Sequence, residues 1–192
     1  MSPFDADQRR APSVPSFIHE DNGVTFLIVS GAGSAAWTPE RIQVELALGR
    51  RVNVIATPTA ASWLDPQAIR DLTGWDLRCE QRGPLTPTFE PPGCRVLASP
   101  VTLNTLTKWA AGHCDNLALS LLCEATGLGI DTRAEVHLSQ AYAEHPAAAD
   151  ALSRLSQMGI SLYRARGAAR HELLPTTASV DPRRWDPQRH SA

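Results

Sequence analysis

The chain has 192 residues, 43% of them hydrophobic, with 20 acidic and 18 basic side chains and a net charge of −2. That is enough chain for one domain with a sizeable core. The charge balance points away from nucleic acid and from an anionic membrane surface. No apolar run approaches the ~20 residues that cross a bilayer. Met1-Ser2-Pro3-Phe4-Asp5 lacks the basic and apolar regions of a signal peptide, so a cytoplasmic protein is expected. Cys79, Cys94, Cys114 and Cys123 show no C-x-x-C spacing, which argues against a zinc site or a disulfide framework, and no metal is expected. Cys94 and Cys123 sit in apolar settings and read as buried thiols.

Residues 1–22, rich in Pro, Ser and charge, read as a tail. Val24-Thr25-Phe26-Leu27-Ile28-Val29 is β-branched and apolar, the pattern of a central strand. Ser30-Gly31-Ala32-Gly33-Ser34-Ala35-Ala36-Trp37 follows, and its small residues let backbone come close to a ligand. A helix then opens with Thr38 as N-cap and Pro39 at its first position, carrying Ile42, Val44, Leu46 and Leu48 until Gly49. Strand, glycine-rich turn and helix is a layout shared by phosphate-binding loops and by plain tight turns.

Arg51 to Thr57 alternates like a second strand. At its end, Thr57 either donates a hydroxyl to a phosphate, with Thr59 and Ser62 as alternates, or simply caps a turn. Leu64 to Thr73 reads as a short helix and Trp75 to Cys79 as a third strand. Four prolines between Gly83 and Gly93 forbid a regular element there.

Arg95-Val96-Leu97-Ala98 is a short buried strand running into a Ser99-Pro100 turn. A helix follows whose first turn is crowded with hydroxyl and amide side chains: Thr102, Asn104 and Thr105. A junction of this kind suits an anionic or polar ligand at the carboxyl edge of a sheet. A further helix runs through Cys114 to Leu122, closed by Gly127 and Gly129, then a strand from Thr132 to Leu138. His145-Pro146 opens another helix with Leu152, Leu155 and Met158 on one face, and Ile160 to Tyr163 is a last strand. Strands alternating with helices imply an α/β protein with a mostly parallel sheet covered on both faces. The domain is placed at 23–165, with 166–192 a C-terminal tail.

Ser99, Pro100, Thr102, Asn104, Thr105, Lys108, Gly112, Asp115, Asn116 and Leu117 match the S/A-P-x-T-x-N-T-x-x-K-x-x-x-G-x-x-D-N-L signature. On that match the chain resembles the flavin-containing cysteine decarboxylases, the group of phosphopantothenoylcysteine decarboxylase and the peptidyl-cysteine decarboxylases of lanthipeptide biosynthesis. Ser30 to Glu40 parallels that family's S-G-[SG]-[IV]-A-A-Y-K-x-P-E, with Ala32 where many members have a phosphate-binding Ser and Ser34 two places on as a substitute. Thr57 to Trp63 parallels T-x-x-A-x-x-F, and Glu144-His145-Pro146 parallels E-H-P.

The resemblance implies a Rossmann-like three-layer α/β/α fold and flavin mononucleotide as cofactor. It implies contacts from Gly31, Ala32, Gly33, Ser34 and Thr57, and from Ser99, Pro100, Thr102, Asn104 and Thr105. It also implies a homotrimer or dodecamer, and a small-molecule or peptide thiol as substrate.

The machinery of decarboxylation departs from the family pattern. A His expected one strand before the Pro-x-Thr turn is missing, since no His lies between His19 and His113 and Thr86 falls near its place. The P-x-M-N-x-x-M-W motif has become Val136-His137-Leu138-Ser139-Gln140-Ala141-Tyr142-Ala143, with Ser139 where the carboxylate-holding Asn stands. No Cys follows Cys123, so the late Cys-containing lid is absent as well. Losing a proton-transfer group costs roughly 10²–10⁴-fold in rate.

His137 is either a substitute acid/base or a strand-end surface residue, and His137 and Ser139 are the only catalytic candidates. Trp63 belongs either beside a flavin or in the core. His113 and His145 read as helix-end residues. Two functions stay open: an oxidoreductase or lyase of this superfamily with oxidative decarboxylation or altered flavin chemistry, and a catalytically degenerate flavin-binding regulatory or partner subunit. A flavin prenyltransferase-like protein is a third, weaker reading.

Overall fold

The computed structural model describes residues 23–80, 93–165 and 171–173. The tails and the proline-rich loop with Thr86 therefore lie outside the described residues, apart from Gly93 and 171–173.

Five strands run parallel: β1 (Val24–Val29), β2 (Arg51–Ala56), β3 (Arg95–Val101), β4 (Thr132–Val136) and β5 (Ser161–Ala165). A sixth, β6 (His171–Leu173), closes the edge antiparallel to β5, inside the stretch that reads as a tail. The order is β2-β1-β3-β4-β5-β6, so the chain reverses its direction of travel across the sheet after β2. That reversal creates a crevice at the carboxyl ends of β1 and β3, where parallel sheets take ligands.

Alternate residues of β1 face two separate cores. Leu27 and Val29 join Val52, Val54 and Ala56 under α1 (Thr38–Ala47), α2 (Pro58–Ala61) and α3 (Pro66–Thr73), which contribute Ile42, Ala60 and Ile69. Phe26 and Ile28 join Val96, Ala98 and Ala134 on the opposite face. There they pack on α4 (Leu103–Ala110), α5 (Leu117–Gly127) and α7 (Pro146–Gln157) through Leu106, Trp109, Leu122 and Leu155. Period-two burial in a parallel strand requires helices on both sides, and this chain has them.

Several boundaries move. Asp65 caps α3 by accepting from the amides of Gln67 and Ala68, so that helix begins at Pro66 and not at Leu64. Trp75–Cys79 contributes a single parallel bridge, Arg78 to Ile55, in place of a strand. Gly33–Trp37 forms a 3-10 helix leading into α1, and the buried Thr38 hydroxyl donates back to the Ala35 carbonyl at 2.7 Å instead of capping forward. Asn116 caps α5, which therefore starts at Leu117, three residues after Cys114.

The Ser99-Pro100 step is not a turn. It lies within β3, its peptide bond is cis, and the ladder to β4 shifts register between Ala98 and Val101. A proline has no N–H to give a ladder, which accounts for the interruption. The Pro100 carbonyl remains available and accepts the Ser30 amide at 3.0 Å.

The α1 side of β3, β4 and β5 carries charge in a buried setting. Arg41 of α1 meets Glu135 of β4 at 2.6 Å, and Ser99 donates to the same carboxylate at 2.6 Å. Glu45 accepts from Thr25 at 2.6 Å and pairs with Arg95. Beside this network, Val44 and Leu48 are half exposed and line a groove of about 230 Å³ with Leu97, Arg133 and Tyr163.

Candidate active site

Four strand ends surround a cleft of about 950 Å³, a size suited to a small-molecule ligand. β1 leads into it through Gly31 and Ala32, β2 through Thr57, Pro58 and Thr59, β3 through Thr102–Thr105, Thr107 and Lys108, and β4 through His137 and Ser139. Tyr142 and His145 complete one wall.

Each wall residue is placed by its element. Gly31 is needed for packing: a Cβ there would lie 2.7 Å from Thr59 Cγ2, so only glycine lets the β1 turn close on the β2 turn. Gly33 has open space around its Cα and carries no such constraint. Thr57 caps α2, its Oγ1 accepting the Ala60 amide at 3.3 Å, which is the turn-capping alternative. Its position still lines the cleft beside the exposed Thr59.

Thr102 caps α4 by accepting the Thr105 amide, and its hydroxyl lies 3.2 Å from that of Thr105. Asn104 is exposed, lines the cleft, and its side-chain amide makes no hydrogen bond among the described residues. That amide offers donors and an acceptor at the positive end of α4.

Lys108 and Asp115 form an ion pair across the α4–α5 turn, and the Lys108 ammonium holds the Asp115 carboxyl below its usual range. Asn116 steadies the same carboxylate with a 3.1 Å bond. On α5, against this turn, Cys123 is half-buried, and its Sγ donates to the His113 carbonyl at 3.6 Å. Burial, and then the neighbouring Cys114 thiol, push the Cys123 thiol up to about 12. Cys114 is exposed. Iodoacetamide at pH 8 is expected to alkylate Cys114 at least ~10-fold faster than Cys123, because only the thiolate reacts. Peptide mass spectrometry reads both rates, and equal rates would show that the turn opens freely.

The structure separates some of the expected site residues. Ser99 and Pro100 are buried and do not line the cleft; the Ser99 hydroxyl is committed to Glu135. Gly33 and Ser34 line a second cleft, of about 800 Å³, that shares Ala32, His137 and Ser139 with the first. Ser139 caps the short helix α6 (Gln140–Ala143) through the Tyr142 amide at 3.4 Å. His145 caps α7 with Nδ1, as a helix-end residue does. Trp63 is 58% exposed, so the core reading fails. Met158 also faces outward, and Cys94 is only partly buried.

Sequence reasoning missed Trp37 as a neighbour of His137, and Tyr142 as a wall residue. Trp37 and His137 are a hundred positions apart, and no local spacing signals their contact. Among the described residues no helix is long and apolar enough to cross a membrane, and no group of three His, Cys, Asp or Glu side chains could hold a metal ion.

A parallel sheet with helices on both faces, a switch in strand order and a polar cleft at that switch define a nucleotide-type α/β cofactor-binding fold. Residues 18–176 match the Flavoprotein family model, and the chain belongs to that family. No curated protein sequence matches it. Among solved structures, the FMN-dependent cysteine decarboxylase SpaF superposes with a TM-score of 0.63 at 17% identity, covering 81% of this chain and 91% of that one. TvaF, an FMN-dependent cysteine decarboxylase from thioviridamide biosynthesis, superposes with a TM-score of 0.62 at 20% identity over 72% and 88%. A PPC decarboxylase mutant complexed with pantothenoylaminoethenethiol superposes with a TM-score of 0.60 at 17% identity over 80% and 92%.

Proposed function

We propose that the chain binds flavin mononucleotide in the larger cleft and acts on a thiol or peptidyl-cysteine-type substrate, by oxidative decarboxylation or altered flavin chemistry. The observation that carries this reading is the joining of four strand ends around one cleft, with the uncommitted Asn104 amide at the start of α4. The residues fit the group. Thr57, Thr59 and the Gly31-Ala32 backbone would hold a phosphate, and Asn104, Thr105 and Thr102 the edge of a heteroaromatic ring. The flavin, when bound, supplies the two-electron oxidation that no side chain can perform. The chain's own residues bind it, orient the substrate and move protons. The FMN dependence of SpaF and TvaF supports the assignment.

One observation favours a second reading, a catalytically degenerate regulatory or partner subunit. Ser139, at the position of the carboxylate-holding Asn, already uses its hydroxyl to cap α6. A single short hydroxyl in that role anchors a substrate carboxylate less well than an amide.

Assembly as a homo-oligomer, a homotrimer or a dodecamer, belongs to the same proposal. The half-exposed Val44 and Leu48 beside Tyr163 suit burial against another copy, and a neighbour at TM-score 0.62 and 13% identity is a dodecameric FMN-dependent decarboxylase from Escherichia coli O157:H7.

The test begins with purified protein and added flavin mononucleotide. A yellow protein whose colour bleaches anaerobically with a peptide ending in Cys supports the catalytic reading. A yellow protein inert to thiols supports the second. Failure to take up flavin rejects both.

A further inference from the structure

The 3-10 helix Gly33–Trp37 and the end of β4 meet through one contact that the cofactor reading does not use. Ser34 Oγ lies 2.7 Å from His137 Nδ1, between residues 103 positions apart. The Trp37 ring, one turn on from Ser34, meets the imidazole edge-on, with centroids 5.9 Å apart and planes at 63°. Serine and tryptophan on one short helix thus hold the imidazole from two directions.

His137 Nε2 is buried, whereas Ser34 and His137 both line the second cleft. Both members of the pair thus reach the second cleft, with Nδ1 on the hydroxyl and Nε2 buried. The Ser34 hydroxyl, expected from sequence on a phosphate, contacts His137 in this structure.

We propose that Ser34 and His137 form a proton relay serving a ligand held where the two clefts join. Ser34 Oγ–H donates to Nδ1, and the buried Nε2 carries the other proton of the neutral ring. When a ligand thiol reaches Ser34, its S–H proton passes to Oγ while the proton of Ser34 passes to Nδ1. One S–H and one O–H bond break, one O–H and one N–H bond form, and a thiolate and an imidazolium result with no change of oxidation state. The relay supplies the proton acceptor whose usual His is missing from this sequence. It rests on the thiol reading of the site.

Several other ionisable groups among the described residues line the two clefts. Glu144 and Arg164 line the same cleft, and Lys108, Asp115 and His145 line the other. Glu135, two residues before His137 and on the same α1 side of the sheet, is paired with Arg41 at 2.6 Å.

Two measurements test the relay. In ¹⁵N-labelled protein without flavin, long-range imidazole spectra at pH 8.5 are expected to show His137 as the Nε2–H tautomer, assigned by its loss in His137→Gln. The Nδ1 resonance is expected to move in Ser34→Ala. An Nδ1–H tautomer, with serine as acceptor, overturns the relay without touching the flavin reading. In flavin-loaded protein, Ser34→Ala and His137→Gln are each expected to slow thiol bleaching by ~10²-fold, the scale of a lost proton-transfer group. Ser34→Thr, which keeps the hydroxyl, is expected to restore most of the rate. Bleaching unaffected by either substitution, or wild-type protein that binds flavin and never bleaches, overturns the relay and leaves cofactor binding standing. Wild-type protein that takes up no flavin rejects the cofactor reading, and the tautomer then decides the relay alone.

Discussion

Replacing Glu135 with Ala is expected to lower the unfolding free energy by about 3–5 kcal/mol, the cost of leaving one member of a buried ion pair alone. Arg41 and Glu135 are each 5% exposed or less, their charged groups lie 2.6 Å apart, and Ser99 adds a hydroxyl to the same carboxylate. Truncation removes the carboxylate that the Arg41 guanidinium and the Ser99 hydroxyl both meet, in a space that water scarcely reaches. For a chain of this size the melting midpoint should fall by roughly 10 °C. The double variant Arg41→Met with Glu135→Leu should recover most of the loss, because the desolvation penalty disappears with the charges. Chemical denaturation at fixed protein concentration measures all three variants. A Glu135→Ala loss below about 1 kcal/mol would mean that solvent reaches the pair, contrary to the packing of α1 over β3 and β4.

Asn104→Ala is expected to weaken flavin mononucleotide binding by ~10–100-fold, the worth of one or two hydrogen bonds to a ligand in a partly desolvated cleft. Stability without flavin should barely change, since Asn104 is exposed and its amide bonds to nothing among the described residues. Fluorescence titration of free flavin reads the affinity, and thermal melts with and without ligand read the two effects apart. Unaltered affinity would move the ring away from the α4 terminus and redraw the site.

The α/β class and most of the elements were legible in the pattern of residues. β-branched runs alternate with helical periodicity, and β1, β2 and the α4 cap at Thr102 lie where local rules put them. The Thr102-x-Asn104-Thr105 stretch marked the cleft because capping chemistry and helix polarity are local. Element ends were less legible: Asp65 and Asn116, capping α3 and α5, set starts that the apolar pattern alone had placed two or three residues earlier.

What the amino-acid order determined by itself was therefore the local part: which segments are strands and helices, and which side chains gather at the start of α4. What only the folded chain decided was pairing across distance. Strand order brings His137 to Ser34 and Trp37, sets Arg41 on Glu135 and carries the Ser99 hydroxyl away from the cleft to a buried carboxylate. These contacts join residues from 36 to 103 positions apart. Such pairs depend on how the sheet orders its strands and which face each residue meets, and no short window of sequence encodes either.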